Sequence, residues 1–397
     1  MRFALVLLLA SVAGAADFHG VWDATIVAGG QRVPFRMEIL PSPARACFFE
    51  DTDRVCSSAA AVEGDKLNAE WDFLNTELHL SLQDGVLAGI YRSRRTRREM
   101  AVEARPHQAA PAVTDPPADL DGDWEMHSRE RPQMSWQLLL RQSGSDLKGT
   151  ILRVDGDDGT LVGQVRGRKF SISHFSGDRA LLLEGELLAD GSLALQQGST
   201  KAYALRPAEA RRRNLPPPDN PDTFAHARNP SEKFHFSLPD LNGRTFTEAD
   251  FAGKPLIVSI AGSWCPNCRD EAPFFAELYR SYHGAGLEIV AFCFEYTDET
   301  NYAPLRAYLR KFAIPYPALL AGEPSKLKEV VPQIENISAF PTSIYIGKDG
   351  RVRLVHTGFP SGGSGEELER VKNELRAAVE RMLAEGAHAA PSGSYPR

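Results

Sequence analysis

The sequence predicts a multidomain β plus α/β protein, in which two related antiparallel β units precede an α/β sandwich. The 397 residues correspond to two or three domains at about 150 residues each. Residues 17–105 consist of short alternating apolar runs separated by turn residues, which is typical of antiparallel strands. From Ser231 onward, continuous apolar runs alternate with segments of helical periodicity, which indicates buried parallel strands and covering helices.

The composition excludes several classes of protein. Hydrophobic residues make up 43% of the chain and charged residues 24%, which excludes a wholly disordered protein, a collagen and a protein with several membrane spans. Lys plus Arg total 45 against 52 Asp plus Glu, a net charge of −7, so a nucleic acid is not expected as a partner. Five cysteines suffice for one or two specific pairs.

The first sixteen residues have the layout of a secretory signal peptide. Arg2 is followed by an apolar run over residues 3–10, and Ala13 with Ala15 fits an A-x-A cleavage site. This run is shorter than the roughly 20 residues of a membrane-spanning helix. An N-terminal strand and an uncleaved anchor are the alternatives. We therefore expect export to the periplasm or another extracytoplasmic compartment, with a soluble protein after signal removal.

The two β units share landmarks in the same order, at offsets of 102, 103 and 106 residues. This indicates a duplicated module, and coincidence among common turn residues is the alternative. The paired landmarks are Gly20-Val21-Trp22-Asp23 with Gly122-Asp123-Trp124-Glu125, Gly64-Asp65-Lys66-Leu67 with Gly167-Arg168-Lys169-Phe170, and Asp84-Gly85 with Asp190-Gly191.

Composition also places the boundaries between domains. Residues 106–119 are rich in Pro and Ala, and residues 207–230 are rich in Pro and Arg, which is typical of linkers. The second linker, if extended at about 3.1 Å per residue, would separate its neighbours by tens of ångströms. The predicted order is signal peptide 1–16, β unit 1 over 17–105, linker 106–119, β unit 2 over 120–206, linker 207–230, α/β domain 231–385 and disordered tail 386–397.

Cys47 and Cys56 are predicted to form a structural disulfide in β unit 1. A turn over residues 50–53 places the two cysteines opposite each other on neighbouring strands. Opposed residues of a non-hydrogen-bonded pair have α-carbons about 4.5 Å apart, which is compatible with a bridge. Free thiols and a second redox pair are the alternatives.

The chain from Ser231 predicts strands and helices in alternation. The predicted strands are 255–261, 287–294, 342–346 and 352–357, and the predicted helices are 268–282, 302–312 and 365–383. Between the first strand and the first helix lies Trp264-Cys265-Pro266-Asn267-Cys268. Two cysteines at this spacing can close a disulfide, and the start of a helix stabilises the thiolate of the first one.

This C-x-x-C pair predicts redox chemistry. A zinc site needs four ligands, and the sequence has no second C-x-x-C or H-x-x-H to complete one. An inert structural bridge is the other alternative. We expect neither a metal nor another cofactor.

Further motifs accompany this pair in a fixed order. They are Phe236-Ser237-Leu238-Pro239-Asp240-Leu241-Asn242-Gly243, Phe251-Ala252-Gly253-Lys254-Pro255, Glu271-Ala272-Pro273, Gly286-Leu287-Glu288-Ile289-Val290 and Phe340-Pro341-Thr342-Ser343. With them, residues 231–383 resemble the thioredoxin-fold domain of the TlpA/ResA-like exported thiol–disulfide oxidoreductases. The resemblance implies a thioredoxin-like α/β sandwich and leaves the two β units unrecognised.

The resemblance implies roles for individual residues. Cys265 would be the attacking thiolate, Cys268 the resolving cysteine, and Glu271 an acid that assists proton transfer. For Glu271 the alternative is a first-turn acid favoured by the helix dipole. Pro341 would be a cis-proline against the redox pair, with Phe340 and Trp264 beside it in the substrate-binding surface.

Three positions limit what the resemblance implies. Ser259 stands where thioredoxins have a buried Asp, so that proton relay is absent. The Pro266-Asn267 dipeptide contains no His to stabilise a thiolate, which favours a reducing or intermediate potential. Cys293 lies in a predicted buried strand and is expected to be a core residue.

The predicted function is reduction or exchange of disulfides in client proteins, with re-reduction by a membrane thiol donor. A thiol-dependent peroxidase is one alternative, but its P-x-x-x-[TS]-x-x-C pattern is missing at both Cys265 and Cys268. An envelope ligand-binding protein, in which the β units carry the function, is the other.

Overall fold

The computed structural model describes residues 18–50, 53–109, 115–131, 133–296 and 300–385. The predicted signal peptide and the predicted tail lie outside these ranges. The described residues form two nine-stranded antiparallel sheets, followed by a five-stranded mixed sheet with covering helices. The predicted β plus α/β fold class is confirmed. No helix within the described ranges combines the length and the apolar character needed to cross a membrane.

The first sheet is a meander whose first and last strands pair with each other. Its order is β4-β3-β2-β1-β9-β8-β7-β6-β5. Ser57 and Ser58, between the two edge strands, hydrogen-bond to the Ala46 and Glu70 carbonyls at 2.8 and 2.7 Å. The strands are β1 Gly20–Ala28, β2 Gln31–Pro41, β3 Ala44–Glu50, β4 Asp53–Cys56, β5 Ala59–Glu63, β6 Lys66–Trp71, β7 Thr76–Gln83, β8 Val86–Ser93 and β9 Glu99–Pro106.

The hairpin of β3 and β4 has the register that the sequence predicts. Cys47 lies opposite Cys56, Phe48 opposite Val55 and Phe49 opposite Arg54. The structure joins the two cysteines as a disulfide. Phe48 stacks on the Trp71 ring with 4.5 Å between centroids, so the bridged hairpin packs into the interior of the first sheet.

The second sheet closes on itself, because β11 pairs with both β10 and β12. Its interior is apolar and includes Trp124, Leu138, Leu183 and Leu193. The strands are β10 Gly122–Ser128, β11 Ser135–Ser143, β12 Asp146–Arg153, β13 Gly156–Asp157, β14 Leu161–Arg166, β15 Lys169–His174, β16 Leu181–Leu187, β17 Leu193–Gln197 and β18 Thr200–Leu205.

The two sheets begin with the same local structure. The Trp22 indole donates a hydrogen bond to the Phe18 carbonyl at 2.9 Å, and the Trp124 indole donates one to the Leu120 carbonyl at 3.0 Å. The glycine two residues before each tryptophan has a positive φ, +116° at Gly20 and +107° at Gly122. These matching turns support the duplicated module that the landmarks indicate.

The third sheet has the order β24-β23-β22-β26-β27. Strands β24, β23 and β22 run parallel to one another, and β26 is antiparallel to both of its neighbours, β22 and β27. Helices α3, α4 and α6 contribute to one apolar cluster, and α5 to the other. The strands from here on are β19 His226–Ala227, β20 Ser237–Pro239, β21 Thr245–Thr247, β22 Leu256–Ala261, β23 Glu288–Phe294, β24 Ala318–Gly322, β25 Ile334–Glu335, β26 Thr342–Ile346 and β27 Val352–Thr357.

The helices are short except for two. They are α1 Pro207–Arg212, α2 Pro221–Phe224, α3 Pro266–Tyr282, α4 Ala303–Lys311, α5 Leu327–Val330 and α6 Glu366–Ala384, with 3-10 helices at Glu248–Phe251, His283–Ala285, Thr300–Tyr302, Pro324–Lys326 and Gly362–Ser364. Helix α3 begins two residues earlier than predicted, since proline is favoured in a first turn, where no N–H is needed.

Residues 207–230 differ from the extended form considered for this linker. They contain α1 and α2, and β19 pairs with β25. Asn336 donates a hydrogen bond to the Phe224 carbonyl at 3.1 Å, and Asp222 contacts His356 at 2.5 Å. Tertiary partners more than 100 residues away therefore hold a segment whose composition indicates only a linker.

Removal of the first disulfide tests its contribution to stability. We expect the double variant Cys47→Ser/Cys56→Ser to lose about 2–3 kcal/mol of unfolding free energy in the first sheet, because the bridge restricts the unfolded chain. Hydrogen exchange of β2 and β3 during urea unfolding measures this loss. Thr96→Ser, at an exposed turn, serves as the control, and equal protection in both variants would contradict the prediction.

Candidate active site

The cysteine pair lies at the start of α3, directly after β22. Cys265 is the residue that caps the helix, and its sulfur accepts the Cys268 backbone N–H at 3.2 Å. The two sulfurs are joined, with α-carbons 5.3 Å apart. Cys265 is 2% exposed and Cys268 1%. The helix start therefore offers its free N–H groups to the sulfur of Cys265, where they stabilise negative charge.

Three further predicted site residues surround Cys265. The peptide bond between Phe340 and Pro341 is cis, and the Phe340 carbonyl oxygen lies 3.4 Å from the Cys265 sulfur. The Trp264 ring meets the Phe340 ring edge-on at 5.1 Å, and its indole donates to the Phe294 carbonyl at 2.8 Å. Four of the predicted residues thus form one group at the end of the third sheet.

Glu271 is buried behind the cysteine pair, in the second turn of α3. Its side chain is held by Ser259, whose hydroxyl donates to Oε2 at 2.8 Å. The other oxygen, Oε1, has no hydrogen-bond partner among the described residues. Burial raises the pKa of Glu271 to about 8, although the Ser259 hydrogen bond acts in the opposite direction. The carboxyl is therefore largely protonated at neutral pH.

Ser259 has a different part in this site from the one that the sequence indicates. It stands where a thioredoxin has a buried Asp, and here its hydroxyl binds a carboxyl that comes from the facing helix. The buried carboxyl in this region therefore comes from Glu271 on α3 and not from a residue of β22. Tyr308, on α4, donates to the Cys268 carbonyl at 2.9 Å and closes this region from the side.

The remaining cysteines are separate from the pair. Cys293 is a free thiol buried on β23, and burial raises its pKa well above the usual value. It lines a small cavity together with Ser259 and Glu271. The Cys47–Cys56 bridge belongs to the first sheet.

Asn267 is a site residue that the sequence analysis misses. Its side chain is buried between the third sheet's domain and the second sheet. Arg179 donates to its Oδ1 at 2.8 Å, and its Nδ2 donates to the Asp157 and Phe359 carbonyls at 3.1 and 3.2 Å. No sequence signal links Asn267 with a partner 110 positions away, so only the structure reveals this contact.

Comparison with known proteins agrees with this geometry. Residues 231–355 match the model of the AhpC/TSA family. These residues form a thioredoxin-like domain that is similar to that family. The resemblance drawn from the motifs is confirmed for this part of the chain.

The curated relatives cover the same thioredoxin-fold domain. Thiol-disulfide oxidoreductase ResA of Bacillus thuringiensis subsp. konkukian is 33% identical over 120 residues, which are 30% of this chain and 63% of the relative. ResA of Bacillus subtilis is 28% identical over 128 residues, 32% of this chain and 66% of the relative. The chain thus spans just under two thirds of these relatives' length.

Two solved structures are similar to part of this chain. A thiol:disulfide interchange protein of Chlorobium tepidum is 24% identical and covers 40% of this chain and 99% of its own, with a TM-score of 0.31. A secreted Mycobacterium tuberculosis disulfide oxidoreductase is 18% identical and covers 37% and 95%, with a TM-score of 0.29.

In the parts of the chain that the structure describes, no group of three or more His, Cys, Asp or Glu side chains has the arrangement needed to hold a metal ion. The chemistry that this geometry supports is carried by sulfur and by the buried carboxyl.

The raised pKa of the buried Glu271 predicts that the stability of the protein depends on pH. Folded Glu271 keeps its proton up to a pKa of about 8, whereas the unfolded chain releases it near the usual glutamate pKa of 4.5. Raising the pH through this window favours the unfolded chain, which binds fewer protons. We expect the wild-type unfolding free energy to fall by about 4–5 kcal/mol relative to Glu271→Gln between these pH values.

Chemical unfolding of the oxidised proteins across this pH range measures the difference. Glu277→Gln is the matched control, because Glu277 lies on the same helix with an exposed side chain. Parallel stability curves for wild type and Glu271→Gln would show that the carboxyl ionises normally.

Proposed function

We propose that this protein is a thiol–disulfide oxidoreductase that reduces or exchanges disulfides in client proteins through Cys265 and Cys268. One observation carries the proposal. The Cys265 sulfur caps the start of α3 and lies 3.4 Å from the carbonyl of Phe340, next to the cis-proline Pro341. A nucleophilic sulfur, a second sulfur able to displace the bound client and a backbone edge for an extended client strand meet at this point.

The reduced enzyme acts in two exchanges. The Cys265 thiolate attacks one sulfur of a client disulfide, which forms a mixed disulfide and releases the other client sulfur as a thiolate that takes up a proton. Cys268 loses its proton and attacks the Cys265 sulfur, which releases the second client thiol. Two electrons pass to the client, and the enzyme finishes with the Cys265–Cys268 bond.

Glu271 supports the proton transfers of these steps. General acid–base catalysis is most efficient when the pKa of the group lies near the working pH, and the Glu271 pKa of about 8 is close to neutral. It lies one turn beyond Cys268 on the inner side of α3. Only its ionised form, which is the minor form at neutral pH, can accept the proton that Cys268 releases when this cysteine resolves the mixed disulfide, and the protonated form returns a proton when the pair is reduced again.

Return to the reduced state needs a thiol donor. A donor dithiol reduces the Cys265–Cys268 bond by the same two exchanges in reverse order and becomes a disulfide itself. The predicted signal peptide supports export to the periplasm or another extracytoplasmic space, where a membrane-embedded donor would have to supply these electrons.

Thiol-dependent peroxide reduction is the less favoured chemistry for this site. Gly262, rather than Thr or Ser, stands three residues before Cys265. The residue three positions before Cys268 is Cys265 itself. A hydroxyl group at that place in the sequence is therefore missing for both sulfurs. Nothing in the described residues favours the third candidate, ligand binding by the β units, over exchange at the cysteine pair.

Replacement of the first cysteine tests the proposal. We expect Cys265→Ser to lower dithiothreitol-driven reduction of insulin disulfides to the uncatalysed rate, because the attacking sulfur is gone. Cys268→Ser should instead accumulate a mixed disulfide with the client, which mass spectrometry detects.

The double variant Cys47→Ser/Cys56→Ser is the control, and it should retain insulin reduction. Persistent activity in Cys265→Ser would refute the proposal, and peroxide consumption that depends on Cys265 while insulin stays intact would assign the peroxidase function instead.

A further inference from the structure

A hairpin of the second sheet lies against Asn267, between the two cysteines of the pair. The hairpin consists of β12, β13 and the turn between them. Asp157, at its end, accepts a hydrogen bond from Asn267 through its backbone carbonyl at 3.1 Å. Asn267 is one of the two residues between Cys265 and Cys268, so the hairpin contacts the redox motif itself.

The Asp157 carboxylate fixes this contact from the other side. It is 2% exposed. Its Oδ2 accepts hydrogen bonds from the Ser361 N–H at 2.8 Å, the Ser361 hydroxyl at 2.9 Å and the Ser364 hydroxyl at 2.7 Å. Its Oδ1 accepts the Gly159 N–H at 3.0 Å. Charge-assisted hydrogen bonds of this kind are about twice as strong as neutral ones.

The two backbones meet so closely that neither position has room for a side chain. A Cβ on Gly156 would lie 2.6 Å from Asn267 Nδ2, and a Cβ on Gly358 would lie 2.3 Å from the Gly156 nitrogen. Both glycines have positive φ, +113° and +74°. The hairpin therefore fits against the thioredoxin-fold domain at the level of the main chain.

Charged side chains surround the contact. Arg179 bridges Asn267 and the buried Asp158, at 2.8 and 3.2 Å. Arg269, in the first turns of α3, pairs with Asp178 of the second sheet. These contacts are polar, and the first β unit contacts the same domain through the Phe73 and Phe312 rings at 6.3 Å and through the ion pair of Asp72 with Arg310 at 3.7 Å.

The closed arrangement conflicts with the reaction of a protein client. Thiol–disulfide exchange depends on access to the attacking sulfur. Cys265 is 2% exposed as a residue, and Trp264 and Phe340 pack beside it, so a client disulfide has little surface from which to approach its sulfur. Part of the cover must therefore leave before the reaction, and the hairpin is the part that contacts the residues between the cysteines.

We propose that the β12–β13 hairpin is a gate that decides which disulfides reach Cys265, and that Asp157 and Asn267 are the positioning residues that hold it shut. This inference rests on the proposed function. The rate with a client then scales with the fraction of molecules in which the hairpin has left the site. A large probe needs a wider opening than a small one, so the gate discriminates by size.

Weakening the contact tests the gate in the full-length protein. We expect Asp157→Ala to raise labelling of reduced Cys265 by a polyethylene glycol maleimide about tenfold or more, since Ser361 and Ser364 lose their buried acceptor. Labelling by the small reagent iodoacetamide should rise less. Asp155→Ala is the matched control, because its side chain lies in the same hairpin but is 53% exposed.

A second variant approaches the contact from the opposite side. Ser361→Ala/Ser364→Ala removes the two hydroxyl bonds to the Asp157 carboxylate without changing the second sheet, and it should raise maleimide labelling as well. Peptide mapping assigns the labelled cysteine, and thermal melting shows that each variant is folded. Insulin reduction should increase in step with labelling.

The outcomes separate this inference from the proposed function. Labelling needs no disulfide exchange, so unchanged maleimide rates in both folded variants overturn the gate even if the enzyme reduces insulin. Faster labelling without faster insulin reduction also overturns it, because opening then does not limit client access. Loss of the oxidoreductase function itself is read separately, from Cys265→Ser.

Discussion

The junction between β22 and α3 is the constraint on which the active site depends. A helix start leaves backbone N–H groups without partners. Here Pro266 has no N–H to satisfy, and the Cys268 N–H is accepted by the Cys265 sulfur. The same residues that begin the helix also bring the two sulfurs together. Helix capping and the proposed redox chemistry therefore use one arrangement, and Phe340 and Pro341 lie beside it.

The buried acid depends on this junction as well. Because α3 starts immediately after the third sheet's central strand, the inner side of its second turn faces β22. Glu271 meets Ser259 there in a place without water contact. Burial of a carboxyl is unfavourable once it is ionised, and this cost is what moves its pKa to about 8. A proton-exchanging group is thus obtained from packing rather than from a neighbouring charge.

Local features of the fold could be predicted from the sequence. The register of Cys47 with Cys56 follows from the length of one turn, and the strands at 342–346 and 352–357 have the predicted bounds. The predicted oxidoreductase site rests on a short motif and a proline that neighbouring elements position. Periodicity and turn chemistry act over a few residues, and such local information is sufficient for these predictions.

Long-range features could not be predicted. Residues 207–230 have the composition of a linker, yet contacts with Asn336 and His356 fold them onto the third sheet. The pairing of Asn267 with Asp157 joins a turn in one sheet to a helix in another domain. Neither residue has a pattern that identifies its partner, because a single polar contact leaves no periodic trace in the chain.

The dipeptide between the cysteines shows why long-range contacts that the sequence does not predict matter for function. Taken alone, Pro266 and Asn267 indicate only a site without histidine and hence a moderate potential. In the folded chain, the Asn267 side-chain amide donates hydrogen bonds to the Asp157 carbonyl of the second sheet and to the Phe359 carbonyl. Its hydrogen bonds are directed away from the sulfurs. Asn267, the second of the two residues between the cysteines, therefore makes a contact between domains. In the proposed gate, this contact couples access to Cys265 to the position of the second sheet.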